Sequence, residues 1–266
     1  MSHFKYILIV VLFFFACEDA EFTNPLDSEN NPDFIEPDTY ILTDLDNSIQ
    51  SEDNLVIEWI GNDFVSDYSY NFNNQGWSEW SDQNSLSLSY LDEGIYTFEV
   101  KGRYITLIED ISPAIVTFEV DAVNGPGLRI FPLYKNISPD DNMISLYLEE
   151  VQNISFGTIS ISIQSNDCIT RFNIESIQLG DLFVENSNIF IHDSMQQESI
   201  INFGLTDIEG LSGTGELAKI YIGNDNSGCG GPVDLVINLE SSQLRDYDDN
   251  EILILDSANG VVDQDE

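Results

Sequence analysis

Residues 68–103 read YSYNFNNQGWSEWSDQNSLSLSYLDEGIYTFEVKGR, and the rhythm of this stretch decides the fold. Tyr68, Tyr70 and Phe72 alternate with Ser69 and Asn71; Leu86, Leu88 and Tyr90 alternate with serines; Tyr96, Phe98 and Val100 alternate with Thr97 and Glu99. A period of two sends successive side chains to opposite faces, which is the mark of a half-buried strand. Outward from this stretch the pattern persists. Leu55, Ile57 and Trp59 alternate with Val56, Glu58 and Ile60 upstream, and Ile115–Val120 repeats the rhythm downstream. Gly61-Asn62-Asp63 and Asp92-Glu93-Gly94 supply turns between the runs. Helical periodicity is nearly absent.

About six such strands over residues 41–122 match the size of an immunoglobulin-like sandwich. Val123-Asn124-Gly125-Pro126-Gly127 reads as a short joint. Beyond it, Met143–Val151, Thr158–Gln164, Ser199–Leu205, Glu216–Ile222, Val233–Leu239 and Glu251–Leu255 alternate in the same way, separated by Gly/Asn/Asp-rich turns. The sequence therefore predicts an all-β chain with two β-sandwich domains in tandem, 41–122 and 128–266.

The charge excludes whole classes of partner. The chain carries 48 Asp and Glu against 8 Lys and Arg, a formal net charge of −40, and no Lys or Arg falls between Lys5 and Lys101. Nucleic acid is held by neutralising phosphates, so a surface this acidic repels it, and it repels anionic headgroups as well. Intrinsic disorder is excluded too, because hydrophobic residues make up 42% and aromatic residues 11% of the chain.

The N-terminus reads as an address. One Lys precedes an apolar run from Tyr6 to Ala16, which is too short to span a bilayer and fits the core of a signal peptide. Phe14-Phe15-Ala16-Cys17 resembles the lipobox of bacterial lipoproteins. That resemblance implies a signal peptide over 1–16, acylation of Cys17, and an extracytoplasmic protein lipid-anchored to the outer membrane or cell surface. Residues 17–40, with Pro25, Pro32, Pro37, many acids and no base, are expected to form an extended acidic tether. In an oxidising compartment Cys168 and Cys229 are either a disulfide or two free core thiols.

Two further resemblances concern the domains. Tyr68, Tyr70, Trp77, Tyr96 and Phe98 carry a pattern similar to the triple-tyrosine module of bacterial two-component sensors. Trp77-Ser78-Glu79-Trp80-Ser81 also matches the WSxWS box of cytokine receptors, but it lies centrally and no Arg precedes Arg103, so it is read as coincidence. For Trp77 and Trp80 two readings remain, a cover over the core and a carbohydrate-stacking platform. In the second domain, Gly210-Leu-Ser-Gly213-Thr-Gly215-Glu-Leu217-Ala218-Lys-Ile220-Tyr-Ile222 resembles a cohesin passage in which glycines allow a tight turn and the Ala lets a strand pack closely. The strands around it fit the same family. Cohesins are relatives of carbohydrate-binding modules, and one sheet face of a cohesin binds the dockerin module of another protein. The resemblance implies a dockerin-like protein partner or a polysaccharide; it supplies no contact residue.

No catalytic constellation emerges. His192, the one histidine beyond the signal peptide, sits beside Asp193 and Ser194, but neighbours on a strand point oppositely and cannot form a relay. It is expected at a strand end or in a loop. Cys168, His192 and Cys229 fall short of a structural zinc set. Asp246, Asp248, Asp249 and Glu251 have part of the rhythm of a calcium loop, yet Glu251 replaces the required Gly and Ser257 the required Glu. Those four acids are the candidate ligands for calcium, the one cofactor left open, and the alternative is a solvated turn. The reading is a non-catalytic cell-surface binding module; its alternative is a structural or adhesion lipoprotein in which both sandwiches act as spacers.

Overall fold

The computed structural model describes residues 24–165, 172–182, 188–195, 198–205, 210–224 and 232–264. Among these the regular structure is β, apart from one 3-10 turn at Leu239–Ser241. The alternation read from the sequence becomes two separate cores.

The first sandwich has seven strands where about six were expected. One sheet runs β1 (Thr39–Ile41), β3 (Leu55–Gly61), β5 (Ser85–Leu88); the other runs β2 (Ile49–Gln50), β7 (Ala114–Val120), β6 (Gly94–Tyr104), β4 (Val65–Phe72). The inward residues of each strand meet between them: Ile57, Trp59, Phe98, Val100, Phe118 and Val120 are buried together with Leu45. Trp59 is 1% exposed and centres the core, with its ring 5.4 Å from Phe98 and 6.2 Å from Tyr68. Aromatic groups of this size dominate core energetics.

The strand ends fix a direction. Thr39 pairs with Gly61, and Val65 with Tyr104, at the end where the chain enters. Gly94 pairs with Val120 at the opposite end, where it leaves. The second sandwich is therefore joined to the end of the first that lies away from the N-terminus.

In the second sandwich one sheet runs β12 (Phe172–Leu179), β15 (Leu211–Asn224), β10 (Met143–Ile154), β8 (Gly127–Phe131), β19 (Asp256–Ala258). The other runs β13 (Asn188–Met195), β14 (Glu198–Leu205), β11 (Phe156–Gln164), β16 (Val233–Ile237), β20 (Gly260–Asp263), β9 (Tyr134–Asn136), and β17 (Gln243–Arg245) joins β11 to β18 (Glu251–Ile252). All neighbours are antiparallel except two: β19 lies parallel to β8, and β20 parallel to β9. The last strands of the chain thus close the sheets against the first strands of the domain. Ile, Leu and Val fill the space between, with Ile130, Ile144, Leu146, Ile159, Ile161 and Leu235 essentially inaccessible.

Three expectations need correcting. The acidic segment is not an extended tether over its described part. Asn24–Phe34 winds through turns, and the chain then docks on the first sandwich, with Tyr104 Oη donating to the Ile35 carbonyl (2.9 Å) and Asn62 Nδ2 to the Glu36 carbonyl (2.8 Å). The glycines of 210–215 do not form a tight turn; Leu211–Asn224 is one long strand whose register shifts at bulges against β10, and Gly213 (φ +105°) absorbs the distortion. His192 lies within β13 rather than at a strand end or in a loop.

A buried ion cluster joins the two sandwiches. Arg129 on β8 is 6% exposed, and its Nη2 lies 2.7 Å from Oε1 of Glu149, itself 2% exposed, on β10. Its Nε approaches Oε2 of Glu93, from the turn before β6 in the first sandwich, at 3.5 Å. Glu93 also accepts the Val123 N–H (3.0 Å), while its neighbour Asp92 accepts the Leu133 N–H (2.8 Å). Burial pushes both carboxyls above the usual carboxylate range, and for Glu93 the nearby Glu149 charge adds to the push while Arg129 opposes it. The guanidinium also lies 4.8 Å from the Tyr147 ring. Removing one partner of a buried pair strands the other charge. Arg129→Met should destabilise the chain in urea unfolding by about 3–5 kcal/mol. Adding Glu149→Gln should recover part of that loss, and a fully additive loss in the double variant would refute the pairing.

Candidate functional site

Each sheet of the second sandwich turns one face to solvent, and the two faces differ in chemistry. On the β12-β15-β10-β8 face the side chains are charged and tied together: Lys219 pairs with Asp181 and Glu216, and Ser145 Oγ donates to Glu216. The β13-β14-β11-β16 face is of another kind. Ile159, Ile161 and Ile163 of β11 point to the core, so Thr158, Ser160, Ser162 and Gln164 lie on the other side of the strand, with Ser160 itself buried beneath Asn238 and Glu198. Beside them on β14 the register sets Asn202 opposite Thr158, Ile200 opposite Ser160 and Glu198 opposite Ser162.

Hydroxyls and amides knit this face together. Thr158 Oγ1 donates to Asn202 Oδ1 (2.8 Å), Ser160 Oγ to Glu198 Oε1 (3.2 Å), and Asn238 Nδ2 reaches the Ser160 and Ser162 hydroxyls at 3.1 and 3.3 Å. Ile191 of β13, 59% exposed and paired with Asn202, extends the row. Along β11 and β14 Glu198 is the single outward carboxylate. Asp234 on β16, exposed and opposite Gln164, adds a second carboxylate, so this is a hydrogen-bonding row flanked by Glu198 on one side and Asp234 on the other, with an apolar margin at Ile191.

The few cations make that contrast sharper. Among the described residues Lys101, Arg103, Arg129, Lys135, Lys219 and Arg245 each pair with a carboxylate at 2.5 to 3.5 Å. None of them is left to hold an anionic ligand without first giving up its acid.

Trp77 and Trp80 occupy a different place from either reading. Residues 77–81 lie along the outer side of β4: Ser81 and Tyr68 exchange backbone hydrogen bonds at 2.7 and 3.0 Å, and the Ser78 hydroxyl accepts the Tyr70 N–H. The rings meet the outward cations of β6. Lys101 Nζ is 4.9 Å from the Trp77 ring and 5.3 Å from Trp80, and Arg103 Cζ is 4.4 Å from Trp80. The core is filled by Trp59 instead. The WSxWS string, taken as coincidence for want of a basic partner, does find cations, from a strand about twenty residues downstream. With cations against these rings, the geometry favours a structural ladder over a sugar platform.

The acidic loop also uses its own groups. Both carboxylate oxygens of Asp246 accept from Asn250 at 2.8 Å, which holds Asp246 below the usual carboxylate range, and Arg245 Nη1 takes Asp249 Oδ1 at 3.0 Å. Asp248 and Glu251 are exposed. Among the described residues no three His, Cys, Asp or Glu side chains gather as a metal site. A cleft of about 750 Å³ opens where β10 and β15 bulge, between Pro126, Glu150, Asn153, Ser212 and Ile252, and Glu150 is the one titratable group lining it. His192 is exposed. Cys17, Cys168 and Cys229 lie outside the described residues.

No family model matches this chain, and no curated protein matches it. Solved structures do. A non-cellulosomal cohesin from the archaeon Archaeoglobus fulgidus is similar at 16% identity and a TM-score of 0.38, over 47% of this chain and 80% of that one. A cohesin from Clostridium acetobutylicum gives 16% and 0.42, over 52% and 90%. A cohesin–dockerin complex from Clostridium thermocellum gives 18% and 0.39, over 53% and 95%. All three contain cohesins. The description of this chain's fold rests on its own sheet order and register.

The hydroxyl face was overlooked in the sequence, although its signal is there: Thr158, Ser160 and Ser162 alternate with isoleucines in a chain whose other polar positions are so often acidic. For the tryptophan ladder, a double-mutant cycle with Trp80→Ala and Arg103→Met should give a coupling of about 0.5–1 kcal/mol in urea unfolding. Additive losses would mean the ring and the guanidinium do not interact.

Proposed function

We propose that this chain is a non-catalytic surface protein whose second sandwich docks a protein partner, of the dockerin kind, on the outer face of β13-β14-β11-β16. The observation that carries the reading is the chemistry of that face. It combines hydroxyl and amide groups with exposed Ile191, and its carboxylates Glu198 and Asp234 stand on either side of the uncharged β11 row. Protein interfaces are depleted of charge at their centres, and the central strand of this face, β11, carries no charged side chain. The cohesin-like passage at 210–222 supports the same class of partner. A polysaccharide is the rival ligand.

The test is retention of dockerin-bearing proteins on the immobilised chain, alongside a glycan array. Asn202→Lys with Ser162→Lys should weaken retention at least about tenfold, because charges buried in a docked face go unpaired. Tyr221→Ala on the opposite sheet should leave it unchanged. Binding to glycans alone, or equal effects of both variants, would reject this face as the protein-docking site.

The chain is further proposed to be anchored through acylated Cys17, with Cys168 and Cys229 joined as a disulfide. The lipobox-like residues 14–17 support the first. For the second, Phe172 pairs with Asn224, and the cysteines fall four residues before and five after that pair. One intact-mass measurement on membrane-extracted protein reads both: added acyl mass that Cys17→Ser abolishes, and two hydrogens regained on reduction. An unacylated chain would refute the anchor, and a mass unchanged by reductant the disulfide.

The spacer reading has its own support. The chain enters the first sandwich at one end and leaves at the other, so that sandwich adds its full length between anchor and second domain. Spacing and docking are compatible roles for the two halves.

A further inference from the structure

The end of the first sandwich where the chain enters is unusually apolar. Phe64, immediately before β4, is 57% exposed; Ile105 and Leu107, in the loop leaving β6, are 76% and 66% exposed; Ile35, in the docked N-terminal segment, is 69% exposed. Their proximity follows from the pairing. Val65 is the register partner of Tyr104, so Phe64 and Ile105 are the next residues out on adjoining strands. Tyr104 donates to the carbonyl of Ile35 and stands edge-on to both Phe34 and Phe64. Scattered apolar residues on a surface need no account, but a cluster confined to one tip does.

The chain outside the described residues limits what can cover this tip. Six residues, 18–23, separate Cys17 from Asn24, and Asn24 begins the segment that folds back on this end. Even fully extended, that link reaches roughly 25 Å. The opposite end is occupied by the Asp92–Glu93 turn and its bonds to the second sandwich. The apolar end is thus the end held near the anchor.

We propose that Ile35, Phe64, Ile105 and Leu107 form a membrane-seating tip that enters the interface of the bilayer in which Cys17 is anchored. The inference rests on the acylation of Cys17 proposed above. An acyl anchor confines the tip to within reach of the headgroups, and exposed aliphatic and aromatic residues then gain by burial to a depth of about 5–10 Å. The lipid chemistry is set by the neighbours. Asp33 and Asp63 line the small cleft beside Ile35 and Phe64, and the cations of the adjoining strand, Arg103 and Lys101, are engaged with Asp67 and Glu109. Such a rim suits zwitterionic headgroups and disfavours anionic ones. Seating the tip would stand the first sandwich on the membrane and direct the second away from it.

The test uses the acylated full chain, its acylation verified by mass, in phosphatidylcholine vesicles made with or without brominated acyl chains. Ile105→Trp puts a reporter in the tip, and Ile95→Trp puts one at an equally open position, 70% exposed, beside the far end of the sandwich. Relative to the unsubstituted chain, the fluorescence added by Ile105→Trp should fall roughly twofold or more in brominated lipid while that of Ile95→Trp does not, and Phe64→Asp with Leu107→Asp should abolish the difference. An acylated chain whose Ile105→Trp signal is unquenched overturns the seating alone. Equal quenching at both positions overturns it too, since the sandwich then lies flat, and so does shielding of Ile105→Trp by self-association without lipid quenching. A chain that carries no acyl group removes the anchor and the seating together.

Discussion

The arrangement of the two sandwiches depends on a single guanidinium held among carboxylates. Arg129 sits on the first strand of the second sandwich, yet it reaches Glu149 in its own sheet and Glu93 in the other domain. In a chain with so few bases, spending one in a buried position is a strong constraint. The buried guanidinium needs its acids, because removing one partner of a buried pair leaves the other charge uncompensated. The Asp92–Glu93 turn then anchors the backbone at Val123 and Leu133, on either side of the joint. What would otherwise be a loose linker becomes a fixed connection.

From that connection follows a division of labour. The first sandwich has an apolar end near the chain entrance and a carboxylate-rich end at the joint. The second sandwich has one face of paired charges and one of hydroxyls and amides flanked by Glu198 and Asp234. The charge of −40 is therefore not spread evenly in its consequences. Where acid meets a base it builds structure, as in the joint and in the ladder of Trp77, Trp80, Lys101 and Arg103. Where the strand itself carries no acid, along Thr158–Ser162, hydroxyls and amides bond one another instead.

Much of this was legible in the one-dimensional pattern. Period-two alternation marked Ile57, Trp59, Phe98, Val100 and Phe118 as inward residues, and all of them are buried. The buried clusters of residues 45–120 and 128–262 lie on either side of 123–127. Other features were not legible, for identifiable reasons. Glycines at 213 and 215 signal a need for unusual backbone, but a turn and a bulge both meet that need, and only the pairing with β10 selects the bulge. Proline and acid suggest an extended tether at 17–40, because composition reports the absence of a core in that segment and says nothing of docking onto the first sandwich. The basic partners of Trp80 were missed since a neighbour in sequence was sought, and the partner stands on an adjacent strand.

The sequence by itself determined the class of structure and the sign of its charge. Alternating apolar residues can bury themselves only as strands in facing sheets, and a charge balance this acidic repels phosphate wherever the acids fall. Tertiary structure decided the rest. Closure of the second sandwich by parallel pairing of β19 with β8 and of β20 with β9 joins segments more than a hundred residues apart, and no local pattern encodes such a contact. The same holds for the hydroxyl face and the apolar tip. Each is a property of several strands laid side by side, so it exists only once register is fixed.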